Sequence, residues 1–407
     1  MRLVFKTVFI FAVPLLILPA CSSKNNDNNS IAKKNTVPRN PVFNTRYLLA
    51  YNPKKADKRI DSFMMELHKN YDFNGNVLVA EHGKIVYEKA IGWAEYLRRD
   101  SLNINSRFEL ASVTKTMTST AILMLMERGK LKLDEEVKDF FPDFPYSGVT
   151  IRLLLEHRSG IINYVYFTDG VYRSQHLDER KGISNADEMA LIAKYKPAAY
   201  SKPNKRFYYN NTNFMVLGSV IEKVSGMPYA QFMKENIFKP AHMDHTDVFS
   251  KAAYDKIPVD VIGHDRGRWR YSVVQNYLDG PVGDKGIYST VGDLYLFDRA
   301  LRGGLLLKQA TMDSAYVPRN PMLHGHFSYG YGWRIFEAPG KQVIYHTGWW
   351  HGFRHIYLRD IKDDITIVVL SNLNNGSLQK LDGLFKITGM PVVRKGAYKG
   401  NGDTGDD

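Results

Sequence analysis

Residues 108–128 constrain the fold more than any other stretch. They begin Phe108-Glu109-Leu110-Ala111-Ser112-Val113-Thr114-Lys115-Thr116-Met117 and run without a breaker to Gly129. Apolar Val113, Met117, Ile122, Leu125 and Met126 recur at helical spacing, mostly on one stripe, which predicts a long helix starting near Ser112. That geometry puts Lys115 one turn on from Ser112, on the same face. An amine held beside a hydroxyl in a dry site can take its proton and make the oxygen a nucleophile. The spacing S-x-x-K carries little alone, since Ser30 to Lys33 and Ser377 to Lys380 share it. The first lies in a polar tail without a core, and the second has no apolar helix behind it. Context selects Ser112.

The chain has 407 residues, 44% hydrophobic and 24% charged, enough for one large core or two, and this composition excludes a chain disordered throughout. Its formal net charge of +13 is diffuse: basic residues gather no further than pairs such as Lys33-Lys34 and Arg98-Arg99. That pattern argues against a nucleic-acid partner and fits attraction to an anionic cell envelope.

Cys21 is the only cysteine, so neither an internal disulfide nor a cysteine metal site is available. It ends a leader in which Arg2 and Lys6 precede an apolar run over 8–18 and then Leu18-Pro19-Ala20-Cys21. The run is too short for an ordinary membrane span and reads as the apolar core of a signal peptide. A small residue before cysteine resembles the bacterial lipoprotein cleavage site. The resemblance implies removal of residues 1–20, lipid on Cys21, and an exported protein anchored to the bacterial cell membrane, facing the periplasm or the outer surface.

Residues 21–56 are polar, rich in Asn, Lys and Pro, and read as a flexible tether. The folded domain is expected over 57–387, followed by a polar tail over 388–407. A helix is expected near 56–71 and a hairpin over 75–93, turning at Glu81-His82-Gly83. Residues 151–157 and 213–224 have helical patterns, as do 291–301 and 378–387. Short aromatic or β-branched stretches at 329–336, 342–345, 353–360 and 365–371 read as strands. The expected class is α+β: an antiparallel sheet formed by N- and C-terminal segments, flanked by helices, with an inserted and mainly helical lobe.

Three places can build one site: Ser112 with Lys115, the stretch Tyr208-Tyr209-Asn210-Asn211, and His346-Thr347-Gly348 at the end of a strand. Here the chain resembles the serine β-lactamase and penicillin-binding-protein superfamily, whose signatures include S-x-x-K. The likeness is to its class C-like branch of β-lactamases, D-Ala-D-Ala carboxypeptidases, D-aminopeptidases and esterases, and spans about 57–386. Residues 108–115 resemble F-x-x-A-S-x-T-K, 129–137 G-K-L-x-L-D-x-x-V, and 151–161 I-R-x-L-L-x-H-x-S-G-I. Residues 287–294 resemble L-x-S-T-x-x-D-L. Residues 207–218 match F-x-Y-S-N-x-G-Y-x-L-L-G in one register, which makes Tyr209 and Asn211 the second motif. This chain departs from the pattern at Asn210, usually serine, at His346, where many β-lactamases carry lysine, and at the bulky Trp349-Trp350.

The resemblance implies the β-lactamase/transpeptidase fold, no cofactor, and a small-molecule or peptide substrate. It assigns Ser112 as nucleophile of an acyl-enzyme and Asn211 as the residue orienting Lys115 and the substrate amide. Lys115 or Tyr209 takes the proton; tyrosine, with an ordinary pKa near 10, needs a neighbouring cation to do so. Backbone N–H groups of Ser112 and Trp349 form the oxyanion hole. His346, Thr347 and Gly348 line the far wall and dock the substrate. A histidine titrating near 6.5 in place of lysine predicts weaker dependence on a substrate carboxylate, and hence peptidase or esterase chemistry. A true β-lactamase and a non-catalytic binding protein are the alternatives.

Taken singly, Ser112 reads as a helix cap, Tyr209 as a packed aromatic, Asn211 as a turn residue and His346 as a strand histidine. Their joint order points to catalysis. His346, His351 and His355 lack acidic partners at ligand spacing, so no metal is expected. His157 reads as a structural helix-end residue, and 329–333 as a glycine-containing strand rather than a phosphate loop.

Overall fold

The computed structural model describes residues 44–178, 182–250, 260–266, 270–320, 326–391 and 393. The leader, Cys21 with its expected lipid, most of the tether and the tail beyond 393 lie outside the described residues.

β1 (Gly75–Glu81) and β2 (Lys84–Ile91) form an N-terminal hairpin that turns at His82-Gly83. The C-terminal third supplies β3 (Phe327–Tyr329), β4 (Arg334–Ala338), β5 (Lys341–Trp350), β6 (Phe353–Asp360) and β7 (Ile365–Ser371). They form one sheet in the order β2-β1-β7-β6-β5-β4-β3, antiparallel throughout. β1 lies against β7, so the two ends of the domain close the sheet as the strand pattern predicted.

Both faces are covered. Along β7, Ile367 and Val369 join a core with Ile60, Met64 and Leu67 of α1 (Lys58–Tyr71). Val368 and Leu370 point the other way, into the larger core under the helical lobe. Burial on both faces is why residues 367–370 of β7 read as a continuous apolar run rather than an alternating one. The lobe comprises α2 (Thr114–Glu127), α3 (Tyr164–Gln175), α4 (Asn185–Tyr195) and α5 (Asn211–Ser225), with α6 (Val291–Arg302) covering the sheet beside them. A last helix, α7 (Asp382–Thr388), packs with α1 on the opposite face.

Four local expectations change. Residues 45–55, read as tether, already hold a helical turn (Thr45–Leu48), because Leu48 is buried in the larger core. Ser112 lies in a 3₁₀ turn, Ala111–Val113, and α2 proper begins at Thr114. α2 has no solvent face over most of its length: Thr114, Thr116, Thr118, Ser119 and Thr120 are as buried as the apolar stripe. Their hydroxyls are satisfied internally, as when Thr118 donates to Gly283 O at 2.7 Å and Ser119 to Tyr331 O at 2.6 Å. The single strand expected over 329–336 is two strands, β3 and β4, reversing over 330–333. Gly332 makes the reversal with φ 75°, and a side chain there would strike Ser119 of α2.

Candidate active site

The turn at 111–113 is held against β5 by contact of bare backbones. A Cβ at Gly348 would stand 2.5 Å from Leu110 O, so only glycine lets the strand lie this close to the segment leading into Ser112. Ala111 adopts φ 48°, an uncommon conformation for alanine, immediately before the serine.

The structure brings Ser112, Lys115, Tyr209 and Asn211 together. Lys115 is fully buried, and its Nζ lies 2.9 Å from Ser112 Oγ, 2.8 Å from Asn211 Oδ1 and 3.0 Å from Asp284 O. The same nitrogen sits 5.1 Å from the centre of the Tyr209 ring. Asn211 is the first residue of α5, and Asn210, the departure from the expected serine, caps that helix. Its Oδ1 accepts from Thr212 N at 2.9 Å, while its Nδ2 donates to Ile161 O and Ile162 O at 2.7 and 3.0 Å. The larger side chain thus ties the start of α5 to the loop after residue 160.

β4 ends its pairing with β5 at Arg334 opposite Tyr345. Beyond that point, among the described residues, no strand covers the outer edge of β5. Thr347, Gly348 and Trp349 therefore line a cleft of about 620 Å³ together with Ser112, Tyr209 and Arg334. The tripeptide 346–348 lies inside β5, not at the end of a strand stopping at 345.

His346 differs from expectation. Its ring is fully buried and does not line the cleft. Nδ1 lies 2.7 Å from Thr347 O and must donate to it, so Nε2 accepts from Tyr329 Oη at 3.1 Å. Burial, together with the charges of Arg334 and Lys115, holds its pKa well below the usual 6.5, so it stays neutral. Arg334 is the permanent cation beside the site: its guanidinium lies 4.9 Å from the Tyr209 ring centre, on the cleft wall.

His157 does more than end a helix. Fully buried, its ring sits 4.4 Å from that of Tyr209 and 5.1 Å from that of Phe214. Nδ1 accepts the backbone N–H of Asn210 at 3.2 Å and meets Asn213 Nδ2 at 2.9 Å, which fixes its tautomer. Burial first, and Lys115 second, keep its pKa well below 6.5. His355 is used in the fold as well, with Nε2 2.5 Å from Glu109 O, and His351 lies 3.4 Å from Asp279.

A second polar cluster, absent from the sequence reading, stands behind Lys115. The residue whose carbonyl receives the Lys115 amine, Asp284, accepts from Tyr164 Oη at 3.1 Å and from Lys285 Nζ at 3.3 Å. Lys285 also meets the Tyr164 hydroxyl and lies 4.9 Å from the Trp350 ring centre. Burial pushes the nearby Glu109 carboxyl well up, with the Asp279 charge adding to it. The available signal was a pair of opposite charges set between Gly283 and Gly286, just before the motif at 287. For Arg334 it was a lone charge in an aromatic strand.

A sheet closed by the N- and C-terminal segments of the domain, with Ser112 and Lys115 heading a helix buried against it, is the architecture of the serine hydrolases of the β-lactamase and penicillin-binding-protein superfamily. Comparison with known proteins gives the same class: the family model described as Beta-lactamase matches residues 60–385. The chain belongs to that family. It is 34% identical over 333 residues to a penicillin-binding protein of Bacillus subtilis (strain 168), covering 77% of this chain and 71% of the relative. Among solved structures it is similar to a penicillin-binding protein from Bacillus halodurans, with 25% identity, a TM-score of 0.69, and 80% of this chain and 98% of that one covered. The D-amino acid amidase from Ochrobactrum anthropi SV3 shares the fold at 20% identity and a TM-score of 0.69, covering 82% and 99% of the two chains.

Proposed function

We propose that the protein is an exported, lipid-anchored serine hydrolase that cleaves an amide or ester bond of a small peptide or peptide-like substrate through an acyl-enzyme on Ser112. The observation that carries this reading is the setting of Lys115 Nζ. Carbonyl oxygens only accept, so Asn211 Oδ1 and Asp284 O hold two N–H bonds of the amine in either protonation state. Nζ donates to Ser112 Oγ at 2.9 Å, and once the amine has lost its extra proton the same contact lets it take the serine's. The Ser112 proton passes to Lys115 as Oγ attacks the carbonyl carbon. N–H groups of Ser112 and Trp349 receive the oxyanion. Lys115 or Tyr209 returns the proton to the leaving nitrogen or oxygen as its bond to carbon breaks, and water then hydrolyses the ester on Ser112.

Arg334 supplies a substrate carboxylate with the charge that neutral His346 lacks, so the histidine works by positioning Tyr329 and Thr347. Carboxylate dependence is therefore retained, carried by a different side chain from the one the motif suggests. The penicillin-binding relatives and the D-amino acid amidase support peptide or amide substrates of D configuration. Anchoring rests on the leader and Cys21; among the described residues, no helix is long and apolar enough to cross a membrane.

The test is intact mass of the full chain, in detergent, after exposure to a fluorophosphonate and separately to a penicillin. One adduct on the wild type with either reagent, absent from Ser112→Ala, is expected. A long-lived penicillin adduct marks a peptidase and rapid turnover a β-lactamase. Adducts that persist in Ser112→Ala would sink the assignment. The same spectra report the anchor as added lipid mass, lost in Cys21→Ala.

A further inference from the structure

The cleft does not stop at the catalytic groups. From Ser112 it continues along β5 past Trp349 to an end lined by Arg354, Arg266, Asp265, Asn374 and Gln379. Arg354 stands opposite Trp349 in the β5–β6 ladder, which puts the two side chains on one face of the sheet. Its guanidinium carbon lies 3.5 Å from the Trp349 ring centre, and its Nε donates to Asn374 Oδ1 at 2.7 Å. A planar cation stacked on an indole and held by a hydrogen bond from Nε has given up much of its rotamer freedom, so its plane is oriented in advance. Arg266 lines the same cleft, so among the described residues that line this end two are cations, Arg354 and Arg266, and one is an anion, Asp265.

We propose that this end is a second anion-binding subsite, in which Arg354 stacked on Trp349 receives a carboxylate on the acyl part of the substrate. The proposal rests on the hydrolase reading above and adds the substrate class: acyl groups that end in an acid. The direction follows from the chemistry. Tyr209 and Arg334 stand on the leaving-group side, where a proton must be returned, so the acyl part runs the other way, over Trp349. The spacing follows from the ladder. Arg334 pairs with Tyr345 and Arg354 with Trp349, four residues further along β5, or about 13 Å at strand rise. Both arginines line the cleft onto which Ser112 opens, so a substrate with an acid at each end spans it.

The experiment compares two p-nitrophenyl esters of equal acyl length, glutarate, which ends in a carboxylate, and neutral pentanoate. Wild-type protein is expected to favour glutarate by about fivefold in kcat/KM, the size of a part-exposed ion pair, with the difference lying in KM. Arg354→Gln brings the ratio to about one, and Arg354→Lys, which keeps the charge without the stacked plane, restores part of it. Arg334→Gln leaves the ratio in place, because that arginine faces the leaving group. A wild-type ratio of one, or a ratio unmoved by Arg354→Gln, overturns the subsite while Ser112-dependent turnover leaves the hydrolase reading standing. Absence of turnover of both esters, or turnover that survives Ser112→Ala, overturns both.

Discussion

Lys115 and Lys285 are both buried, at 0% and 3% exposure, on the helical side of the sheet, and residue 284 touches both. Lys285 sits 3.3 Å from the Asp284 carboxylate and stacks over aromatic rings. Lys115 takes the same residue's backbone carbonyl, together with an amide oxygen and a hydroxyl. A carboxylate compensates the charge of a buried ammonium, whereas neutral oxygens hold an amine by hydrogen bonding alone. The contrast teaches that burial alone does not make a lysine a base. In the proposed mechanism partner chemistry does, and residue 284 meets one lysine with its side chain and the other with its backbone.

The largest effect is expected where the neutral partners are exploited. Lys115→Ala should slow labelling of Ser112 by a fluorophosphonate by roughly 10²–10⁴-fold, the range for losing a positioned base, while circular dichroism stays native. Labelling within a fewfold of wild type would end the distinction between the two lysines. Lys285→Met should act on stability instead, costing about 3–5 kcal/mol by removing the counter-ion of the buried Asp284 carboxylate. Chemical denaturation measures it, and adding Asp284→Asn should recover most of the loss. A cost below about 1 kcal/mol for Lys285→Met would show that the pair is not what fixes that lysine.

Gly348→Ala probes the catalytic side more gently. The added methyl meets Leu110 O, so β5 and the Ser112 turn must separate, at about 1–3 kcal/mol and with a larger proportional loss of labelling rate than of stability. Equal losses of both would mean that the close approach serves packing alone.

The smallest effect concerns Glu188, whose charge is also felt near Lys285. Burial pushes its carboxyl up to about 8 from an ordinary 4.5, although Thr168 donates to it at 2.7 Å. Between these values the native protein holds a proton that the unfolded chain has lost, so its contribution is complete below about 4.5 and fades as pH rises through 8. Glu188→Gln should flatten the fall in Tm between pH 5 and 8. An unchanged slope would assign that fall to other groups.

Much of the catalytic side was legible because its signals are local. Lys115 follows Ser112 by one helical turn, and Asn211 opens a helix whose cap, Asn210, is adjacent in sequence. The strands at 353–360 and 365–371 fall where their β-branched runs end. Long-range contacts were not legible. The serines and threonines of α2 look like a polar face, yet they are buried because the 283–287 segment and the reversal at 330–333 close over them. His346 reads as a titrating substrate ligand until Tyr329 and Arg334, contributed by neighbouring strands, enclose it and keep it neutral.

By itself, then, the sequence determined the class of fold and the helix that carries Ser112 and Lys115, through spacing and a long apolar run, while Tyr209 and Asn211 were picked out by the family resemblance. Tertiary structure decided which charges count. Arg334, Arg354, Asp284 and Lys285 carry no distinctive local pattern. Their protonation, their partners and their place along the cleft follow from strand register and burial, which exist only once distant segments have packed.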